Sequence, residues 1–94
     1  SDEEAVFEAV GRRMEKEALA RLMEAHLKKR EKLVLTLRYG LGGRAPMAQR
    51  EVASLLGISR SYISRIEKKA MEKLRRALER EQGSEASASS MHPN

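Results

Sequence analysis

The stretch that decides the fold is residues 49–68, which read QREVASLLGISRSYISRIEK. Two helices that cross steeply through a short turn need a small residue at the crossing, and Ala53 meets that need. Gly57 follows four residues later, where the turn requires a positive φ angle. Ile58 and Ile63 supply the apolar side chains that the turn and the second helix must bury. The pattern predicts a helix-turn-helix, with an ordinary helical hairpin as the alternative.

The second helix of this pair begins near Ser59, a residue type that caps helix amino termini well. Its first two turns would enter the major groove of DNA, where arginine pairs with guanine and serine donates or accepts a hydrogen bond. Lys68 and Lys69 lie further along the helix and are predicted to contact phosphates. Tyr62 is predicted to pack over the first helix, with contact to a DNA sugar as the alternative. The predicted base contacts are Arg60, Ser61, Ser64 and Arg65.

The rest of the chain has helical periodicity and no run of strict apolar and polar alternation. Apolar residues of 19–27 recur at the three- and four-residue steps of an amphipathic helix, and a glycine-rich stop follows at 39–43. We therefore predict an all-α fold, a small helical bundle of four to five helices with a carboxy-terminal helix-turn-helix. Residues 1–46 form its amino-terminal helices and 47–82 the helix-turn-helix part, and the Gly- and Ser-rich residues 83–94 are predicted to be a disordered tail.

Composition excludes several classes of function. The 94 residues contain no cysteine and two histidines, too few for the usual zinc site, and no glycine-rich phosphate loop or nucleophile beside a base is present. We predict no enzyme, no metal and no cofactor. The net charge is +5, and residues 28–82 carry 15 basic and 6 acidic side chains beside an acidic segment at 1–27. This asymmetry favours a polyanionic partner, with a solvated helix surface as the alternative.

Three segments together resemble region 4 of bacterial RNA polymerase sigma factors of the primary-type family. Residues 37–41 read LRYGL, residues 49–53 read QREVA and residues 56–67 read LGISRSYISRIE. The last of these is most similar to sporulation sigma factors of the mother cell. The resemblance covers about residues 15–80. Because the chain starts at Ser1 rather than Met, we expect it to be a fragment of a longer protein.

The resemblance implies recognition of the promoter −35 element as duplex DNA, together with docking on the RNA polymerase β flap during transcription initiation. Ser61 and Ser64 depart from primary sigma factors, which usually carry an acidic and a basic residue there, so a housekeeping −35 sequence is not expected. Further phosphate contacts fall on Arg30, Arg38, Gln49 and Arg50. The residues that the resemblance implies for polymerase docking are Leu22, Met23, Leu37 and Tyr39. Packing in the core is the alternative role for them.

The same resemblance implies a monomer in the cytoplasm of a bacterium, associated with the nucleoid and not with a membrane. It also allows an anti-sigma factor or an activator as a regulatory partner. Two other readings remain open at this point. One is a stand-alone helix-turn-helix regulator, a class that usually binds paired half-sites as a dimer. The other is a domain that an anti-sigma factor sequesters, with DNA binding secondary.

Overall fold

The computed structural model of the chain describes the backbone of residues 2–90 and the side chains of residues 2–12 and 14–81. Within that range the chain forms helices and no strand, which confirms the predicted all-α fold. The helices are α1 (Asp2–Arg13), α2 (Lys16–His26), α3 (Lys29–Tyr39), α4 (Gln49–Leu56) and α5 (Arg60–Ser90).

The ends of the middle helices follow from local chemistry. The Glu31 carboxylate accepts a hydrogen bond from the Lys28 amide at 2.8 Å, and this contact satisfies a donor at the start of α3. Gly40 ends α3 in the left-handed conformation, with φ 63°. A Cβ atom at Gly40 would lie 2.3 Å from the carbonyl oxygen of Arg44, so only glycine fits this turn. The loop that follows carries the chain to α4.

Two apolar clusters form the core, and α5 belongs to both. The first joins α5 to α1, α2 and α3, and its fully buried members include Leu35 and Leu74. The second joins α5 to α3 and α4 around Val34, Val52 and Ile63. Because α3 and α5 contribute to both clusters, the helix-turn-helix and the amino-terminal helices pack as one domain.

Helix α5 is longer than the sequence predicted. It continues to Ser90, whereas the composition predicted disorder from Gly83 onward. No proline interrupts residues 83–90, and their glutamate and alanines favour helix, so the helix is not stopped by local chemistry. The rest of the predicted tail, residues 91–94, lies outside the described residues. None of the helices described combines the length and the apolar character that a membrane span requires.

Candidate nucleic-acid interface

The turn between α4 and α5 has the geometry that its sequence predicts. Gly57 ends α4 with φ 70° and ψ 32°, the left-handed conformation that glycine adopts at low cost. The Ile58 amide donates to the carbonyl oxygen of Ala53 at 3.1 Å. The Ser59 hydroxyl accepts the Tyr62 amide at 3.1 Å and so caps α5. The start of α5 is therefore held firmly at the surface.

The amino-terminal part of α5 has a buried face and an exposed face. Ile63, Ile66, Glu67 and Ala70 are buried against the other helices. The side chains of α5 that are predicted to contact bases or phosphates all lie on its exposed face. These exposed residues are Arg60, Ser61, Ser64, Arg65, Lys68 and Lys69.

A basic cleft of about 400 Å³ lies between the start of α3 and the first three turns of α5. Arg30 on the α3 side faces Arg65 and Lys69 on the α5 side, so the fold brings together residues that are 35 or more apart in sequence. Lys28 also lines the cleft and was not predicted, although it belongs to the same basic run as Arg30. Tyr62, predicted to pack over α4, is 44% exposed and lines this cleft instead.

Glu31 lines the cleft and joins the two helices that form it. Its buried carboxylate accepts a hydrogen bond from Lys73 Nζ at 2.7 Å in addition to the Lys28 amide. Burial alone would raise the pKa of Glu31, but these two hydrogen bonds and the charges of Lys73 and Lys69 outweigh it, and the pKa is lowered. The charged form therefore ties the start of α3 to the middle of α5.

Arg38 is buried, and this corrects its predicted role as a phosphate contact. The side chain is 9% exposed. Its Nε donates to Glu67 Oε1 at 2.8 Å, its Nη1 to the Met47 carbonyl oxygen at 2.7 Å and its Nη2 to Glu4 Oε1 at 3.2 Å. All three guanidinium nitrogens donate to groups inside the fold, so the structure does not present Arg38 as a surface contact for DNA.

Glu67 is the centre of this buried network, and sequence reasoning missed it. The fully buried carboxylate also accepts the Tyr39 hydroxyl and the Gln49 amide nitrogen, the latter at 2.9 Å. Burial would raise the pKa of Glu67, but the hydrogen bonds from Arg38, Tyr39 and Gln49 lower it overall. The four-residue step from Ile63 places position 67 on the inward face of α5, and that periodicity was a signal that could have revealed it.

The comparisons with known proteins bear directly on this arrangement. The family model described as "Sigma-70, region 4" matches residues 25–76, which contain the cleft, the network and the helix-turn-helix. The chain belongs to this family. No solved structure matches the chain.

Several RNA polymerase sigma factors are relatives of this sigma-70 region 4 domain. It is 38% identical over 78 residues to an RNA polymerase sigma-E factor of Clostridium acetobutylicum, covering 83% of this chain and 33% of that protein. It is 45% identical over 74 residues to an RNA polymerase sigma-28 factor of Bacillus thuringiensis, a match that covers 79% of this chain and 31% of that protein. It is 43% identical over 74 residues to the RNA polymerase sigma-K factor of Bacillus subtilis, a match that covers 79% of this chain and 25% of that protein. The chain thus spans a quarter to a third of these relatives, and the sporulation-type resemblance fits them.

Gln49 and Arg50 are the first two residues of α4 in the sigma-70 region 4 domain, and they differ in exposure. Arg50 is exposed and available for the predicted phosphate contact. Gln49 is half-buried, and its amide nitrogen donates to Glu67, so its side chain is engaged within the fold. Of the phosphate contacts that the resemblance implied, Arg30 and Arg50 are exposed in the structure.

The four predicted docking residues lie in the core of the sigma-70 region 4 domain. Leu22, Met23 and Leu37 are at most 7% exposed. Tyr39 is half-buried, and its ring stacks on Phe7 with centroids 4.2 Å apart. An apolar stripe at helical spacing has the same appearance whether a neighbouring helix or a partner covers it. Here other helices cover Leu22, Met23 and Leu37, and Tyr39 stays partly exposed.

Among the described residues, no group of three or more His, Asp or Glu side chains is arranged to hold a metal ion.

Proposed function

We propose that this domain recognises the −35 element of a bacterial promoter as duplex DNA, as part of a sigma factor in transcription initiation. The observation that carries the proposal is the exposed face of α5 in a chain of the sigma-70 region 4 family. An α-helix fits the major groove, and the first two turns of α5 offer side chains suited to base edges. Those side chains are Arg60, Ser61, Ser64 and Arg65.

The basic cleft supports the same proposal through the DNA backbone. Most contacts that orient a protein on duplex DNA go to phosphates, which arginine and lysine bind without reading sequence. Arg30 and Lys69 flank Arg65 at the cleft, so a strand beside the major groove would meet positive charge from two helices. Arg50 at the exposed start of α4 adds a contact beside the positive end of that helix dipole. Base readout and backbone binding thus share one continuous surface.

We further propose that the domain docks on the RNA polymerase β flap through the side formed by α1, α2 and α3. The buried stripe of Leu22 and Met23 shapes this side from within and does not itself contact the flap. A regulatory protein of the anti-sigma class is a second partner that the family resemblance implies. A stand-alone regulator is the less favoured alternative, since the named relatives are all RNA polymerase sigma factors.

The experiment that tests DNA recognition is selection of binding sequences from a pool of random duplexes, with the folded domain as bait. A −35-type reader that binds as a monomer should enrich one asymmetric half-site. An enriched palindrome with half-sites about one helical turn apart would favour a dimeric regulator instead. Failure to enrich any sequence, with the domain folded, would contradict promoter recognition by this domain.

Polymerase docking is tested by titrating the isotope-labelled domain with the isolated β flap and following its amide signals by NMR. Saturable shifts concentrated in residues 15–45 are expected, and those of the exposed face of α5 should stay in place. A folded domain whose signals do not move at all would contradict flap docking and leave the DNA proposal standing. The two proposals therefore fail independently.

A further inference from the structure

Helix α1 is held against the DNA-reading helix by specific contacts. Phe7 and Val10 are buried in the core cluster that includes Met71 of α5. The ring of Phe7 stacks on Tyr39 at 12° between the ring planes, and Glu4 pairs with Arg38 at 3.2 Å. A helix anchored by an aromatic stack, an ion pair and core residues keeps a fixed position over α5.

That position sets the acidic first turn of α1 beside the basic face of α5. Asp2 and Glu3 line a shallow groove of about 120 Å³ together with Lys68 and Arg75. Arg75 is paired with Glu72, which also lines the groove, at 2.8 Å, so Lys68 is the cation there on which the acids of α1 would act. Lys68 lies one helical turn beyond Ser64, on the face proposed to read DNA.

We propose that α1 is an autoinhibitory element: its acidic first turn lowers the affinity of α5 for duplex DNA. The inference rests on the proposed DNA-binding function and adds its regulation. A phosphate approaching Lys68 meets two carboxylates on the neighbouring helix. Because both carboxylates line the same groove as Lys68, they act over a short range, where salt screens an interaction only in part. A partner that draws α1 away from α5 would relieve it.

Helix stability alone offers another account of Asp2 and Glu3. Acidic residues in a first turn interact favourably with the helix dipole wherever the helix lies. Position separates the two accounts, because only autoinhibition requires that the carboxylates face the DNA-binding surface. Glu15 and Glu17 provide the matched comparison, since both are exposed and lie past the far end of α1, about 17 Å along its axis from Asp2.

The test compares two variants of the full 94-residue chain that change the net charge equally. One is Asp2→Asn with Glu3→Gln, and the other is Glu15→Gln with Glu17→Gln. Fluorescence anisotropy measures the Kd of each for a labelled mixed-sequence duplex of about 20 bp, two helical turns, with folding checked by circular dichroism. The first variant should bind about three- to tenfold more tightly than wild type at roughly 0.1 M salt, and the second less than about twofold. The difference should vanish in high salt.

Equal gains in the two variants would overturn the inference, because they would reflect net charge alone. No gain in the first variant would overturn it as well, because the acids of α1 would then not reach the bound DNA. A folded wild-type chain that binds no duplex at any salt concentration would remove the proposed function itself and the autoinhibition with it. The failure of each proposal is therefore recognisable.

Discussion

Replacing Glu67 with glutamine keeps the size of the side chain but removes the charge that α3 and α4 share with α5. Arg38, Tyr39 and Gln49 all donate to this buried carboxylate. Removing one member of a buried ion pair costs about 3–5 kcal/mol of folding free energy, because the other charge stays buried. Arg38 would still hold Glu4 and the Met47 carbonyl oxygen.

We therefore expect Glu67→Gln to lower the free energy of unfolding by about 2–3 kcal/mol, somewhat below the full cost of a broken pair. For a domain of this size, each kcal/mol corresponds to about 4–8 °C, so the melting temperature should fall by about 10–20 °C at pH 7. Circular dichroism during heating measures the change. Glu72→Gln on the same helix is the control, since its ion pair with Arg75 is half-exposed and should matter little.

The stabilising effect of Glu67 should depend on pH in a definite direction. The pKa of Glu67 is lowered in the folded state from an ordinary value of 4.5. Its stabilisation is thus fully present above that value and is lost as the pH falls through the folded pKa. The melting temperatures of wild type and Glu67→Gln should therefore converge in acid, while Glu31 titrates equally in both. Equal melting temperatures at pH 7, or a gap that persists unchanged in acid, would refute the assignment of Glu67 as the buried charged centre.

Five further substitutions probe the DNA surface, the buried network and the turn. Arg60→Ala and Arg65→Ala should each cost about 1–3 kcal/mol of binding free energy if the side chain pairs with a base, measured by anisotropy on a selected duplex; unchanged affinity in both would contradict base readout. Arg30→Ala should weaken all duplexes alike and reduce the slope of log K against log salt by about one, whereas Arg38→Ala should leave the slope unaltered and lower the melting temperature. Gly57→Val should destabilise the fold by more than about 1 kcal/mol through positive-φ strain, and a wild-type melting temperature would contradict that.

Much of the helix-turn-helix could be predicted from sequence because local chemistry determines it. A glycine in the left-handed conformation and a serine cap are needed at fixed offsets from the helices they connect. Gly57 and Ser59 occupy those offsets, and the structure has them in these roles. The exposed face of α5 follows from the same periodicity once Ile63 is known to face inward.

The fate of Arg38 could not be predicted in the same way, because its partner is distant in sequence. Glu67 lies 29 residues away, and only the packing of α3 against α5 brings the two together. In the sequence, Arg38 is one more basic residue in a basic segment, and the family resemblance assigned it to DNA. The predicted docking stripe has a related ambiguity. Leu22 and Met23 are apolar at helical spacing, and the pattern does not say whether α1 or a partner covers them.

A count of basic residues along the sequence therefore overstates how many are free to contact DNA. It also does not show that the free ones are gathered at one cleft. Ion pairs take up Arg38, Lys73 and Arg75, each held by a glutamate within 2.8 Å. The first two pairs join α3 to α5, whereas the pair of Arg75 with Glu72 is half-exposed and lies along α5, so part of the basic excess acts as scaffold and not as DNA surface. The basic side chains left at the cleft come from two helices that meet at one edge. They are Lys28, Arg30, Arg65 and Lys69. A partner that recognises this domain by charge should therefore approach along that edge, and the direction of approach is set by the buried acids Glu31 and Glu67.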